Sequence, residues 1–430
     1  MEAFVDFFSF QDPNVRLVVL GMLFISLSSS LVGSFAFLQK KSLVGDAVAH
    51  SLLPGIAIAF MISGSKNPWV LILGALISGW VSILIMDFLT KRSKIKTDTS
   101  IALVLSVMFG LGILLLTHIQ HSDFGNQSGL DKFLFGKAAS LTLIDIQAFG
   151  LVTAVIVVLV GVFYREFKLL SFNYEFAQAI GMPVKALSFL MNTLLVLAIT
   201  TGIQAVGVVL MAALLIAPAA AAKIWTYSLS KMILIAMGFA LFSSLLGSFV
   251  SYTYINMPTG PWIVVILTFF TVMSLLFAPK RGVFSRMKMQ RLNSLKINSE
   301  NILKTLYHLE EGKETLFEWH KVDQILEKRA FNKVTLKNTL RLLSQKRWIV
   351  LGDQKVKLSR AGEIEARRVV RLHRLWEMYL TKRLNFKSDH IHSNAETIEH
   401  IITPEIELEL IKELGAPKTD PHSSEIPYAD

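Results

Sequence analysis

Long apolar runs separated by short polar breaks fill the first two thirds of the chain, and the pattern changes near residue 280. A helix needs about 20 apolar residues to cross a bilayer. Runs of that kind fall at 16–38, 43–63, 68–89, 99–118, 143–163, 185–201, 205–225, 231–253 and 258–278. They predict a polytopic helical membrane domain of about nine spans. Eight is the alternative, because 185–201 is short and the break at 201–205 is weakly marked. Beyond 280 the apolar positions recur at the spacing of surface helices instead. Leu303, Leu306, Tyr307 and Leu309 give an amphipathic helix over 302–312, and 319–328 and 335–346 read as two more, parted by Phe331-Asn332. Strand-like 348–351 and 355–358 follow, joined through Gly352-Asp353. Helix, turn, helix and hairpin in that order predict a winged helix.

Charge divides the chain the same way. Up to Lys280 there are 16 Lys/Arg and 11 Asp/Glu; residues 281–383 carry 24 and 11, and 384–430 carry 3 and 10. A membrane block is therefore followed by a basic and then an acidic soluble segment. Among the loops, one alternate set holds Lys40, Lys41, Lys91, Arg92, Lys94, Lys96, Arg165, Lys168, Lys185, Lys223 and Lys231, whereas the other holds only Lys66, Lys132 and Lys137. Basic loops stay cytoplasmic. The expected topology is a multi-pass protein of the bacterial cytoplasmic (inner) membrane, N-terminus outside and C-terminal segment in the cytoplasm. Cysteine is absent, which excludes thiolate metal sites and leaves carboxylate and imidazole as the strong ligands. No phosphate-cradling Gly-x-x-x-x-Gly-Lys-Ser/Thr occurs either, so this chain is expected to be no ATPase itself and no enzyme.

The sharpest chemical feature is Gly45-Asp46-Ala47-Val48-Ala49-His50, with Pro54-Gly55 one turn later. Asp46 and His50 share one helical face. A carboxylate and an imidazole so placed suit a borderline divalent cation, and ionisable groups inside an apolar span are costly enough to be functional by default. The competing reading is a structural Asp–His hydrogen bond. The stretch from Leu43 to Gly55, together with Val206-Gly207-Val208 through Ala217-Pro218-Ala219, resembles the zinc/manganese/iron ABC permeases over 15–278. The resemblance implies a type II importer fold paired as a homodimer or with a related permease subunit. It also implies a separate cytoplasmic ATPase, an extracytoplasmic metal-binding receptor, and a metal pathway lined by Asp46 and His50. Between spans, Phe172 through Pro183 resembles the short coupling helix that docks into the ATPase, with Glu175, Ala179 and Gly181 as contact positions.

In the soluble segment, Leu336, Leu340 and Leu343 are expected to face inward. Thr335, Lys337, Asn338 and Arg341, with Lys355 and Lys357 on the wing, are then free to meet DNA. Farther on, His373 and Glu377 are four apart, and His392, Glu396, Glu399 and His400 fall on a second helical stripe. Six oxygen and nitrogen donors of this kind suit one or two octahedral divalent sites; a solvated charged face is the alternative. The segment 299–427 is similar to the diphtheria-toxin-repressor family. That resemblance implies metal ligands at His373, Glu377, His392, Glu399 and His400, and Glu396 at a position where Glu goes with manganese. It also implies a metal as co-repressor. Two departures are visible: Asn301 stands where the family places a helix-1 ligand, and Ser423 replaces a glycine.

The expected organisation is a mostly α chain: a permease domain at 1–280, a basic linker at 281–298, a winged-helix DNA-binding-like domain at 299–365 and a metal-binding/dimerisation domain at 366–430. The expected function is import of Mn, Fe or Zn by the permease, with the tail acting on DNA. The alternatives are a tail that senses cytosolic metal and inhibits transport in place, and a permease for a chelated metal cofactor.

Overall fold

A computed structural model describes residues 2–121, 136, 138–254, 257–311, 317–384, 396 and 398–428. The chain forms two compact units, Met1–Ser285 and Arg286–Asp430.

The first unit is helical throughout: α1 (Glu2–Ser9), α2 (Pro13–Leu38), α3 (Ser42–Ser51), α4 (Leu53–Ser63), α5 (Pro68–Arg92), α6 (Thr97–Gln120), α7 (Leu143–Val162), α8 (Tyr164–Phe172), α9 (Tyr174–Ala179), α10 (Val184–Val206), α11 (Val208–Trp225), α12 (Leu229–Thr253) and α13 (Thr259–Phe277). Among the described residues, eight helical segments are long and apolar enough to cross a membrane, counting α3 and α4 as one, and α11 is a shorter apolar helix beside them. Two breaks in the apolar runs stand out. The 43–63 run is interrupted at Leu52, two residues before Pro54, which has no N–H to offer the His50 carbonyl; beside the break, Ser78 Oγ donates to the Ser51 carbonyl at 2.6 Å. The 201–205 break lies a few residues later, at Gly207, whose φ of 82° and ψ of 167° suit glycine alone.

Lipid gives apolar helices no hydrophobic reason to associate, so packing rests on close approach at small residues. A Cβ on Gly33 would lie 1.9 Å from the Leu215 carbonyl oxygen, and one on Gly45 would lie 2.6 Å from Leu215 Cδ2. Gly55 and Gly74 bring α4 and α5 together in the same way, with 2.1 Å from a Gly55 Cβ to the Gly74 oxygen. Gly110 and Gly238, by contrast, have open space around them. Serine hydroxyls along α2 turn back on its own carbonyls, as Ser30 and Ser34 do one turn away.

The second unit contains α14 (Val283–Glu310), β1 (His320–Lys321), α15 (Val322–Lys328), α16 (Lys333–Gln345), β2 (Ile349–Leu351), β3 (Lys355–Leu358), α17 (Arg360–Leu384) and α18 (Pro404–Leu414). The stretch expected to be a basic linker is helical, continuous with the helix expected from 302. Strand β1, not foreseen, makes the hairpin a three-stranded antiparallel sheet in the order β1-β3-β2. Leu336, Leu340 and Leu343 pack inward with Ile325, Val356 and Leu358. Arg374 of α17, its side chain 5% exposed, ties three segments. It lies 2.6 Å from Glu311 Oε1 and 3.5 Å from Asp420 Oδ2, and donates to the Glu425 carbonyl.

Two outcomes follow from this packing. Gly33→Ala should lower the melting temperature of the detergent-solubilised chain, by about 1–3 kcal/mol of overpacking or more, whereas Gly238→Ala should leave it nearly unchanged; equal melting curves would contradict the crossing. For Glu311, burial favours the neutral acid, yet hydrogen bonds from His308 and Arg374 outweigh it and hold the carboxyl below its usual value. Its stabilisation is present above the ordinary carboxylate pKa and is lost as pH falls through the lower folded value. Glu311→Gln should therefore make acid unfolding of the second unit less steep between pH 5 and 3, measured by circular dichroism (an approximate window).

Candidate metal pathway and regulatory centre

Asp46 and His50 lie where the sequence places them, one turn apart on α3. This helix starts after Lys41, whose ammonium is tied to Asn192 Oδ1 at 3.0 Å. It packs on α6 and α11 through Gly45, Ala47, Val48 and Ala49, which are all buried. That leaves the Asp46–His50 stripe turned to the open side: their side chains are 43% and 21% exposed, and His50 Nε2 lies 3.8 Å from Asp46 Oδ1. The imidazole and the Phe109 ring of α6 meet in a T-shaped pair, ring centroids 5.0 Å apart. His50 Nδ1 is buried without a hydrogen-bond partner. A separation of 3.8 Å is too long for the structural hydrogen bond considered above. It is within the span of two donors on one ion, each bonded at about 2.0–2.2 Å.

The segment expected to couple to the ATPase contains the six-residue helix α9. Asn173 caps it by accepting from the Phe176 N–H at 2.9 Å, and Gly181 ends it at φ 81° before Pro183. Glu175, Ala179 and Gly181 are exposed. So are Phe172, Tyr174, Phe176 and Ile180, a cluster of large apolar side chains around one short helix.

On α16, Lys337, Asn338 and Arg341 are exposed and Thr335 is half-buried. Lys355 is exposed on β3; Lys357 lies with its ammonium 5.0 Å from the Trp319 ring. Lys337, Arg341 and Lys355 border one open cleft of about 560 Å³ between α16 and the hairpin.

The expected regulatory ligands are only partly gathered, and around an unexpected group. His373 and Glu377 of α17 meet Glu399 and His400, all buried. His373 Nε2 is 3.1 Å from Glu377 Oε1, and Nδ1 lies against Glu399 Oε2. His400 Nδ1 is 2.6 Å from Glu300 Oε2, and its Nε2 is buried without a hydrogen-bond partner. Among them sits Lys304 of α14, whose Nζ is 2.9 and 3.2 Å from the Glu399 oxygens and 2.9 Å from His373 Nδ1. Burial lowers the pKa of Lys304 despite Glu399 beside it. Burial also acts against His373 and Glu399, but there the partners prevail: Glu377 and Glu399 raise His373, and His373 and Lys304 lower Glu399. Glu396 is drawn to Arg329, 3.4 Å from Nη1. His392 lies outside the described residues.

The octahedral sites expected from spacing are therefore not formed by the described residues, among which no group of three or more His, Asp or Glu is placed to hold a metal ion. The reason is chemical. Carboxylate and imidazole donors converge, but on an ammonium at hydrogen-bonding distances. Sequence reasoning missed Lys304 and Glu300; both lie on the stretch Ser299–Leu306, where even the polar residues are buried, a burial that spacing along the chain does not announce.

Comparison with known proteins places both units. Residues 11–278 match the ABC 3 transport family, and residues 359–428 match the iron dependent repressor, metal binding and dimerisation domain. The manganese transport system membrane protein MntC of Bacillus subtilis (strain 168) is 37% identical over 88% of this chain and 87% of its own length. The zinc transport system membrane protein TroC of Treponema pallidum (strain Nichols) is 43% identical over 66% of this chain and 96% of its own. Among solved structures, PsaBC from Streptococcus pneumoniae in complex with Fab superposes with a TM-score of 0.60 and 30% identity, over 67% of this chain and 99% of that one. With its family match covering well over half its length, the chain belongs to the ABC 3 transport family and is a membrane permease subunit with a repressor-like C-terminal domain.

Proposed function

We propose that this permease passes a bare divalent transition metal inward across the bacterial inner membrane, and that Asp46 and His50 are its ligands in the pathway. The observation that carries this is the α3 stripe: a carboxylate and an imidazole with donor atoms 3.8 Å apart, turned away from the packed core of their own unit. One hard oxygen and one borderline nitrogen fit Mn, Fe or Zn. Two donors are too few to replace a hydration shell, which fits a pathway shared by two protomers, the homodimer or a pair with a related subunit. The names of the relatives favour manganese or zinc. An extracytoplasmic receptor delivers the ion. The apolar knob on α9, with Glu175, Ala179 and Gly181, meets a separate ATPase in the cytoplasm. The basic loops put the N-terminus outside and the repressor-like unit inside.

That unit is read as DNA-binding. Lys337, Asn338 and Arg341 project from the second helix of its helix pair, Thr335 stands at the helix start, and Lys355 lies across the cleft on the wing with Lys357 beside it. Exposed cations flanking a helix that presents an amide side chain suit phosphate and base contacts.

In cells carrying the complete transporter, Asp46→Ala combined with His50→Ala should cut uptake of radiolabelled manganese or zinc by at least about tenfold. Undiminished metal uptake would instead favour a chelated cofactor as substrate. For DNA, the full chain in detergent should retard a fragment from its own promoter. Lys337→Ala with Arg341→Ala should weaken that binding about tenfold or more and flatten its salt dependence; retardation unchanged by the pair would move the interface elsewhere.

A further inference from the structure

Helix α14 presents Glu300 and Lys304 to the buried centre. Asn301, next to Glu300, has its Oδ1 buried without a hydrogen-bond partner. Lys304, 5% exposed at its side chain, reaches the completely buried Glu399 with both carboxylate oxygens in range and comes equally close to His373. A divalent transition metal needs donors at about 2.0–2.2 Å, with space at its own position. Here imidazole and carboxylate lie directly against each other, and an ammonium sits beside both at 2.9–3.2 Å. The residues do not fit a metal ion as they stand.

We infer that Lys304 is a tethered substitute for the ion: its ammonium closes the His373–Glu399–His400 centre and joins helix α14 to helix α17 and the 398–401 turn without any metal. Three features support this. The ammonium is carried by a packed helix and buried, so it is present at the centre at every metal concentration. A divalent ion entering beside it meets a fixed positive charge a few ångströms away in a poorly screened interior. Finally, the His373 ring and the Glu399 carboxylate are already engaged by each other, by Glu377 and by Lys304, so a metal binding through them breaks existing contacts before forming any coordinate bond. Regulation by metal, if it reaches this unit, does not enter through this centre.

The test uses the full chain in detergent, with Asp46→Ala and His50→Ala in every sample so that transport ligands do not contribute. Bound manganese is counted by equilibrium dialysis against MnCl2, with free ion read by electron paramagnetic resonance. With Lys304 present, Glu399→Gln should leave the bound manganese unchanged. Lys304→Glu should gain one ion per chain, and that gain should vanish when Glu399→Gln is added. Two results overturn the inference: loss of one bound ion when Glu399→Gln is made in the Lys304 chain, or no gain in a Lys304→Glu chain whose circular dichroism matches the parent. If Lys304→Glu does not fold, the first comparison still decides. Lys304→Met then supplies the second, as a chain relieved of the ammonium whose thermal unfolding manganese should raise, while leaving that of the Lys304 chain where it was.

Discussion

Backbone contact between Pro13–Leu38 and Val208–Trp225 is the constraint on which the membrane unit depends. Gly33 lets the Leu215 carbonyl approach where any side chain would collide, and Gly45 lets the same leucine's side chain lie against the helix that bears Asp46 and His50. In lipid, such contacts replace the hydrophobic drive that organises a water-soluble core. They also fix rotation about the helix axis. With Gly45, Ala47, Val48 and Ala49 committed to neighbours, the remaining stripe of that helix is the one holding the carboxylate and the imidazole. Position of the chemistry is thus a by-product of where small residues were placed.

Much of this was legible in the sequence because lipid allows few solutions. A run of about 20 apolar residues has to be a helix, and Asp46 with His50 stood out because ionisable groups are rare there. Boundaries were less legible. The break was placed at 201–205, and only the backbone angles at Gly207, forbidden to other residues, show where the chain turns. The halving of the second span at Leu52 was announced by Pro54, since proline removes a donor wherever it stands.

The soluble unit was legible in outline and not in its centre. Alternating apolar positions gave its helices and hairpin, but a two-residue strand such as His320–Lys321 has no periodicity to read. His373 with Glu377, and Glu399 with His400, were visible as pairs. What spacing does not reveal is which third element packs over them. A lysine on an amphipathic helix ordinarily reads as solvated, so the burial of Lys304 was set by tertiary packing that its local sequence does not record. Asn301, on the helix that carries Lys304, was an outward sign that this helix departs from the pattern the resemblance implies.

An ammonium built into the polypeptide has consequences that a bound ion does not. It has no off-rate, is not withdrawn by a competing chelator, and owes nothing to the cytosolic pool, so mass action has no hold on it. Its supply is settled once, at translation, with one equivalent per chain. The centre thereby exchanges reversibility for permanence, as a covalent cross-link does.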